Sequence, residues 1–493
     1  MPDVPHPAAD LTVEHATCLG CGCACDDIGV VVRTGRITET RSACTLGAQW
    51  FGEGRVPARI RTGAVQSDPV AALAAVAAKL HEADRALVYL AADLPSETYR
   101  AAIAIADVLG AALDSITSAT MSAAVLAAQR RGRTTATLGE IRNRADTVLF
   151  WGFDPATRYP RYTSRYLPDP EGMFVTSGRR GRSVIAADIA ADRGPADADA
   201  RVAFAADEEV SALNLVRAAL KGRALPNAPP DSLDARAAAL ATRLRAGAYV
   251  AIVSDGEPAP HRDPRRTEAL IALAETLNAT TRCALSTLRA GGNRSGADAV
   301  MTWQTGYPAA VDFARGVPVY RPTDDAAALL ARGEIQVALV VGAPASVPVA
   351  IRDGLSHVAC AIIGPGASES AFPSFAAIDT GRAGVHERGT AVRLDDMPLP
   401  LRPALEAPEV AAFRAKWGPE TPAVARATAT GVCAALPATD AAPAGNQSLA
   451  NGRRDASPEL VVAMSLAAAG RPQDSYVLLR ALGATLAHLE GVA

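Results

Sequence analysis

Short apolar runs that end in small residues recur along the middle of this chain: ALVYLA at 86–91, TVLFWG at 147–152, SVIAAD at 183–188, AYVAIVSDG at 248–256, QVALVVGA at 336–343 and HVACAIIG at 357–364. They are apolar throughout rather than alternating, so both faces of each strand need cover. Between them lie stretches of helical spacing at 69–80, at 96–109 with Ser96 as the N-cap, and at 122–130. Strands of this kind alternating with helices predict parallel sheets joined by βαβ crossovers. Five or more of them over about 300 residues predict two doubly wound layers, with ligands at the carboxyl ends of the strands. No GxGxxG or GxxxxGK[ST] follows a strand, so a standard dinucleotide or P-loop site is not expected.

The first 65 residues read as a separate unit. Cys18, Cys21, Cys25 and Cys44 give C-x2-C-x3-C and then C-x18-C, with Cys23 as a further thiol inside the run. Two strand-like runs, 26–32 and 36–40, flank the turn signal Thr34-Gly35. A small β-rich module with cysteines on its loops predicts a metal-stapled unit. An iron–sulfur cluster, zinc, and thiols retained without a metal are all compatible with the spacing. Residues 66–402 form the α/β body. Beyond 403 the segment 407–457 is rich in alanine, proline, threonine and asparagine and reads as a linker, followed by helical spacing at 460–491.

Composition excludes several classes. Eight cysteines in 493 residues are too few for a disulfide scaffold. A net charge of -3 gives no global attraction to nucleic acid or membrane. No apolar run reaches the ~20 residues of a membrane span, and the first residues lack the basic and apolar regions of a secretion signal. A cytoplasmic, reducing location is expected, which favours metal over disulfide.

Two further runs carry candidate chemistry. GFDPATRYPRYTSRY at 152–166 begins at a strand end and interleaves Arg158, Arg161 and Arg165 with tyrosines; SGRRGR at 177–182 adds Arg179, Arg180 and Arg182. Arginine forks suit carboxylates or phosphates, so an anionic-ligand site competes with a solvated loop of structural ion pairs. MTWQTGYPAAVDFARG at 301–316 concentrates Trp303, Tyr307 and Phe313, which suits core or a subunit contact. HERGTAVR at 386–393 looks exposed, with Gly389-Thr390 suiting a tight turn and His386 structural. No hydrolase triad, paired-carboxylate site or HExxH motif is present.

Taken together, CLGCGCACDD with Cys44, then LGEIRNRADTVLFWGFDPATRYPRYTSRY, TWQTGYPAAVDF and HERGTAVRLDDMPLPLR resemble the B subunit of formylmethanofuran dehydrogenase, in order from about residue 14 to 402. The resemblance implies a molybdopterin-oxidoreductase (formate dehydrogenase-like) α/β fold with Rossmann-like parallel sheets. It also implies a 4Fe–4S cluster on Cys18, Cys21, Cys25 and Cys44, beside a tungsten or molybdenum bis-pterin where CO2 and formate interconvert. One departure matters. The family's metal-binding cysteine or selenocysteine falls in the stretch SITSATMSAAVLAAQ at 115–129, where Thr120, Met121 and Ser122 stand, and no cysteine occurs between Cys44 and Cys283. A hydroxyl or thioether is a poor substitute for thiolate on tungsten.

The resemblance therefore implies a branch that has lost its redox centre: the formyltransferase/hydrolase complex of methylotrophic bacteria, which moves a formyl group from tetrahydromethanopterin to methylofuran and hydrolyses it to formate. In that branch this chain is a non-catalytic scaffold beside A-, C- and D-type subunits. Molybdopterin or tungstopterin is not expected. The cluster site is filled or relict. Methylofuran is the shared carrier, its polyglutamate tail expected on Arg158, Arg161, Arg165, Arg179, Arg180 and Arg182. The alternative is a redox-active tungsten or molybdenum protein with Ser122 or Met121 as metal ligand.

Overall fold

The computed structural model describes residues 10–223, 229–257, 262–417 and 456–491. Among these residues the strands form two principal sheets. The smaller has five parallel strands in the order Ala200–Phe204, Ser183–Ile189, Thr147–Trp151, Tyr249–Asp255, Arg282–Leu288. The larger has nine, and its central five, Ala112–Ser115, Ala86–Leu90, Val337–Val341, Ala359–Gly364 and Ala376–Asp379, run parallel. Short antiparallel strands close its edges. Every residue of Ala86–Leu90, Thr147–Trp151 and Val337–Val341 is buried, which is why these runs are apolar without alternation. In sequence the smaller sheet is one continuous insertion between large-sheet strands Ala112–Ser115 and Val311–Asp312.

A three-stranded antiparallel sheet, Leu11–Ala16, Ile28–Arg33 and Arg36–Arg41, opens the described chain. Its second turn places Thr34 (φ 48°) and Gly35 (φ 73°) in the left-handed region, the geometry that a two-residue hairpin needs. Its core is shared with the smaller sheet: Ile28, Val30 and Phe51 pack in one cluster with Val148, Phe150, Tyr159 and Tyr162.

The helical reading holds for Pro69–His81 and for a longer Ser118–Arg131. Ser96 is not a cap. Pro95 occupies that position without a side-chain bond, and the buried Ser96 hydroxyl instead accepts from Asn293 Nδ2 (3.3 Å). HERGTAVR is not an exposed turn either. Glu387 is fully buried, and Gly389–Val392 is a strand paired with Pro398–Leu401. The linker reading falls mostly on residues outside those described. The terminal helices Pro458–Ala468 and Ser475–Leu489 join the core of the large sheet, where Leu478, Leu482 and Leu486 cluster with Leu73, Val76 and Ile105. Asp474 caps the second helix through Val477 N (3.0 Å). Among the described residues no helix is long and apolar enough to cross a membrane.

Candidate functional site

The cysteine loop folds back on itself, with Cys18 N donating to Cys25 O (2.8 Å) and Ala24 N to Cys21 O (3.2 Å). Cys44 stands at the N-cap of helix Thr45–Phe51, and its carbonyl accepts from Ala48 N (2.8 Å). Cys18, Cys21, Cys25 and Cys44 line one small pocket with Ile28, Leu46, Gly47 and Arg161. Gly47 is the floor: a Cβ there would lie 3.4 Å from Cys18 Sγ and 3.9 Å from Cys44 Sγ. Burial pushes the Cys18 thiol well above its ordinary range and the Cys25 thiol up to about 11. Cys21 is shifted down, first by its hydrogen bond with Cys23 and then by Arg161. Cys23 itself is buried outside the four-thiol pocket.

Among the described residues, no three His, Cys, Asp or Glu side chains are arranged to hold a metal ion. Cys18, Cys21, Cys25 and Cys44 do face one common space, the thiolate donor set that an iron–sulfur cluster or a single metal would need.

The cysteine loop is wedged against the turn after strand Arg282–Leu288. Gly22 N donates to Arg289 O (3.1 Å), Gly292 N to Leu19 O (2.8 Å) and Leu394 N to Gly22 O (3.1 Å). The fit is too close for any side chain at Gly291, where a Cβ would lie 2.0 Å from Leu19 O.

The six sequence-chosen arginines do not assemble into one cluster. Arg158, Arg161 and Arg165 follow the carboxyl end of strand Thr147–Trp151, whereas Arg179, Arg180 and Arg182 precede the amino end of its parallel neighbour Ser183–Ile189. Arg158 stays by the carboxyl ends, beside Asp255, and Arg182 sits by the amino ends, at Ala145 O; between them the chain runs back along the sheet, with Asp169 N donating to Thr163 O (3.2 Å) and Arg182 to Pro168 O (2.7 Å). Most also have partners within the chain. Arg161 forks onto Asp27 (2.7 and 2.6 Å), and Arg165 pairs with Asp26 and Asp27. Arg158 pairs with Asp255, and Arg179 forks onto Asp199 (3.0 and 2.9 Å). Arg182 is 4% exposed and donates to the carbonyls of Ala145, Pro168, Pro170 and Arg142 at 2.6–3.0 Å. Arg182 is thus a structural brace, unavailable to an external anion. Arg180 is exposed.

A cavity of about 460 Å³ opens at the carboxyl ends of strands Tyr249–Asp255 and Arg282–Leu288. That is where a parallel sheet places its ligand. Its walls come from helices Ser118–Arg131, Arg266–Leu277 and Arg294–Thr305 and from the 392–396 segment. Three cations (Arg133, Arg266, Arg289) and three carboxylates (Asp255, Asp298, Asp396) line it. Arg289 pairs with Asp298 at 2.5 Å, and Thr117 Oγ1 donates to the same carboxylate, whose pKa is raised by burial. Arg266 donates to the buried Glu209 (3.3 Å) and to Asp255 O (3.4 Å). Trp303 is 67% exposed at the cavity, Tyr307 stacks on Tyr320 (5.3 Å between ring centres), and Phe313 is buried.

Sequence reading missed Arg133, Arg289 and Asp298. The signal for Arg289 was available, since LRAGG follows an apolar run and turns at glycines. His386 is structural, as expected. Nε2 bonds Gly54 O (2.8 Å), Nδ1 accepts from Arg382 N (3.2 Å), and burial lowers its pKa to about 4. Thr120, Met121 and Ser122 lie near the start of helix Ser118–Arg131, and their side chains are outside the described residues.

No protein-family model matches the chain. The B subunit of the tungsten-containing formylmethanofuran dehydrogenase 2 of Methanocaldococcus jannaschii is 29% identical over 413 residues, 80% of this chain and 94% of that protein. Its counterpart in Methanococcus maripaludis is 28% identical over the same span. The B subunit of the formyltransferase/hydrolase complex Fhc of Methylorubrum extorquens is 30% identical over 317 residues, 63% of this chain and 81% of that protein. A chain in the crystal structure of the formyltransferase/hydrolase complex (FhcABCD) from Methylorubrum extorquens, in complex with methylofuran, has the same fold. It superposes with a TM-score of 0.58 and 24% identity, covering 70% of this chain and 94% of that one.

Proposed function

This chain belongs to the family of formylmethanofuran dehydrogenase B subunits, and we propose that within it the protein is a non-redox member of a formyltransferase/hydrolase complex in one-carbon metabolism. It has the α/β architecture of the molybdopterin oxidoreductases without their metal centre, and it acts as a scaffold beside A-, C- and D-type subunits. The observation that carries this reading is the missing thiolate: no cysteine stands between Cys44 and Cys283, where the family places its tungsten ligand.

The main cavity supports the same reading. Its described lining balances three cations against three carboxylates, and two of the cations are already committed to protein partners. A pair of pterin dinucleotides brings several phosphates and needs a surplus of free donors, so the residues present do not fit that group. We assign Cys18, Cys21, Cys25 and Cys44 as the donors for a 4Fe–4S cluster. When bound, such a cluster would supply one-electron transfer; in a chain without a redox partner for it, the four thiolates would staple the cysteine loop to the start of helix Thr45–Phe51.

For the methylofuran tail, the exposed Arg180 and the half-buried Arg179, neighbours at the amino ends of the strands, remain as contacts for its glutamates, whereas Arg158 stands at the other end, paired with Asp255. Each exposed pair is worth about 0–1 kcal/mol, so several must act on one chain. The double variant Arg179→Ala with Arg180→Ala is expected to retain less methylofuran in the purified complex; equal retention removes this part of the proposal.

Elemental analysis for Mo, W, Fe and Zn tests the main reading, with neither molybdenum nor tungsten expected in stoichiometric amount. The second reading, a redox-active tungsten or molybdenum protein interconverting CO2 and formate, is favoured by the 94% coverage of the tungsten-containing relatives. Stoichiometric tungsten or molybdenum establishes it instead.

A further inference from the structure

Of the three arginines lining the main cavity, Arg133 differs from the other two. Arg266 and Arg289 are held by Glu209 and Asp298, whereas Arg133 makes no hydrogen bond or ion pair among the described residues. It follows Gly132, whose φ of 75° ends helix Ser118–Arg131. The next residue is fixed to the sheet, because Leu285 N donates to Thr134 O (3.0 Å). The guanidinium is therefore delivered to the cavity wall by a pinned backbone and left without a counter-charge in bonding contact. Its surroundings are desolvating, which lowers its pKa; Asp396 opposes the shift and Arg289 adds to it. The Arg133 side chain is itself exposed at the cavity, so an arriving anion reaches it directly and forms one charge-assisted pair.

The remaining walls are not those of a site for a small, fully hydrated ion. Val125, Leu270, Ile271, Leu285 and Pro308 are apolar. The Trp303 indole, 67% exposed, offers an aromatic face at the same cavity. A volume of about 460 Å³ lies within the range that single small-molecule sites occupy.

We propose that this cavity binds one small organic carboxylate with a planar ring, its carboxylate on Arg133 and its ring against Trp303 and the apolar wall. The inference rests on the reading above in one respect, that no pterin fills the space. The two fail separately: stoichiometric tungsten or molybdenum sinks the reading, and absence of ligand binding to metal-free protein sinks the inference.

The test uses the full-length chain with whatever subunits copurify, titrated calorimetrically with benzoate and with its neutral analogue benzamide. Wild type is expected to prefer benzoate by about tenfold, the scale of one charge-assisted pair. Arg133→Gln is expected to bind the two equally while unfolding at the wild-type temperature, because its guanidinium braces nothing in the protein. Arg130→Gln, whose partner is Glu268, is expected to keep the preference. Trp303→Ala is expected to weaken both probes and preserve their ratio. The inference is overturned if benzoate shows no saturable binding in the millimolar range, if wild type fails to distinguish the probes, if Arg133→Gln still prefers benzoate, or if Trp303→Ala binds both as wild type does.

Discussion

Replacing Gly291 by alanine adds one methyl group at the contact between the cysteine loop and the loop that carries Arg289. Gly291 does not have the left-handed backbone that would itself demand glycine, so the cost is one of space. The new Cβ would meet Leu19 O at 2.0 Å, Cys21 N at 2.7 Å and Cys21 Cα at 2.8 Å. All three are backbone atoms, and no side chain can swing away to make room. The loops must separate by more than an ångström, which breaks Gly22 N to Arg289 O and Gly292 N to Leu19 O. Two such bonds contribute about 1 kcal/mol each, and overpacking of this kind costs about 1–3 kcal/mol. The expected destabilisation is about 3–5 kcal/mol by urea denaturation, with earlier reaction of Cys18, Cys21, Cys23 and Cys25 toward a thiol reagent. Gly35→Ala is the control. Its φ of 73° costs about 1 kcal/mol, but nothing lies within 4 Å of its Cβ and the thiols should stay protected. A Gly291→Ala protein within about 0.5 kcal/mol of wild type, with unreactive thiols, would refute the wedge.

Arg182→Gln removes the donor shared by four carbonyls and should cost about 3 kcal/mol or more, whereas Arg180→Gln should stay within about 0.5 kcal/mol; equal losses would return Arg182 to the surface. Burial raises the Glu387 pKa to about 8, with Asp474 adding to the shift, so the folded state holds a proton that the unfolded state releases and stability falls as pH rises toward 8. His386, lowered to about 4, gives the opposite slope below pH 6.5, so pH 6.5–8 isolates Glu387, and Glu387→Gln should flatten urea midpoints across that window; an unchanged slope counts against the assignment. Leu482→Ala, in the core between the last helix and the large sheet, should cost about 2–5 kcal/mol, and a loss below 1 kcal/mol would mean that the helix is not seated there.

The parallel strands were legible because burial on both faces leaves an uninterrupted apolar run, as in ALVYLA and QVALVVGA. Strand Arg282–Leu288 (RCALSTL) escaped the same reading, since the buried Ser286 and Thr287, which lines the cavity, break the run. Ala112–Ser115 carries Asp114, whose carboxylate is consumed by the N–H groups of Ala310 and Ala326, a long-range demand that local pattern cannot reveal. The four thiols singled out by their spacing line one pocket. The arginines were misgrouped because most are spent on partners distant in sequence (Arg158 on Asp255, Arg161 and Arg165 on Asp26 and Asp27, Arg182 on carbonyls), and because a parallel connection carries the chain from Arg158 at one end of the sheet to Arg179 at the other. Arg133 carried no local signal, because what distinguishes it is the lack of a partner in space.

The insertion of one sheet inside the other has a consequence for how the protein is made on the ribosome. The smaller sheet has all its strands once Leu288 has emerged, and it can condense on its own contiguous sequence. The large sheet cannot: its central strands Val337–Val341 and Ala359–Gly364 come later, and the helix Ser475–Leu489 that covers it begins about 190 residues after Leu288. At ordinary elongation rates that is a wait of roughly 10–40 s. Throughout it, the already synthesised strand Ala86–Leu90 and helix Ser96–Val108 lack the partners that will bury them. Slow codons, chaperone binding or mutations late in the coding sequence would therefore act on the large sheet first, while the small sheet, already closed, holds the far wall of the cavity in place.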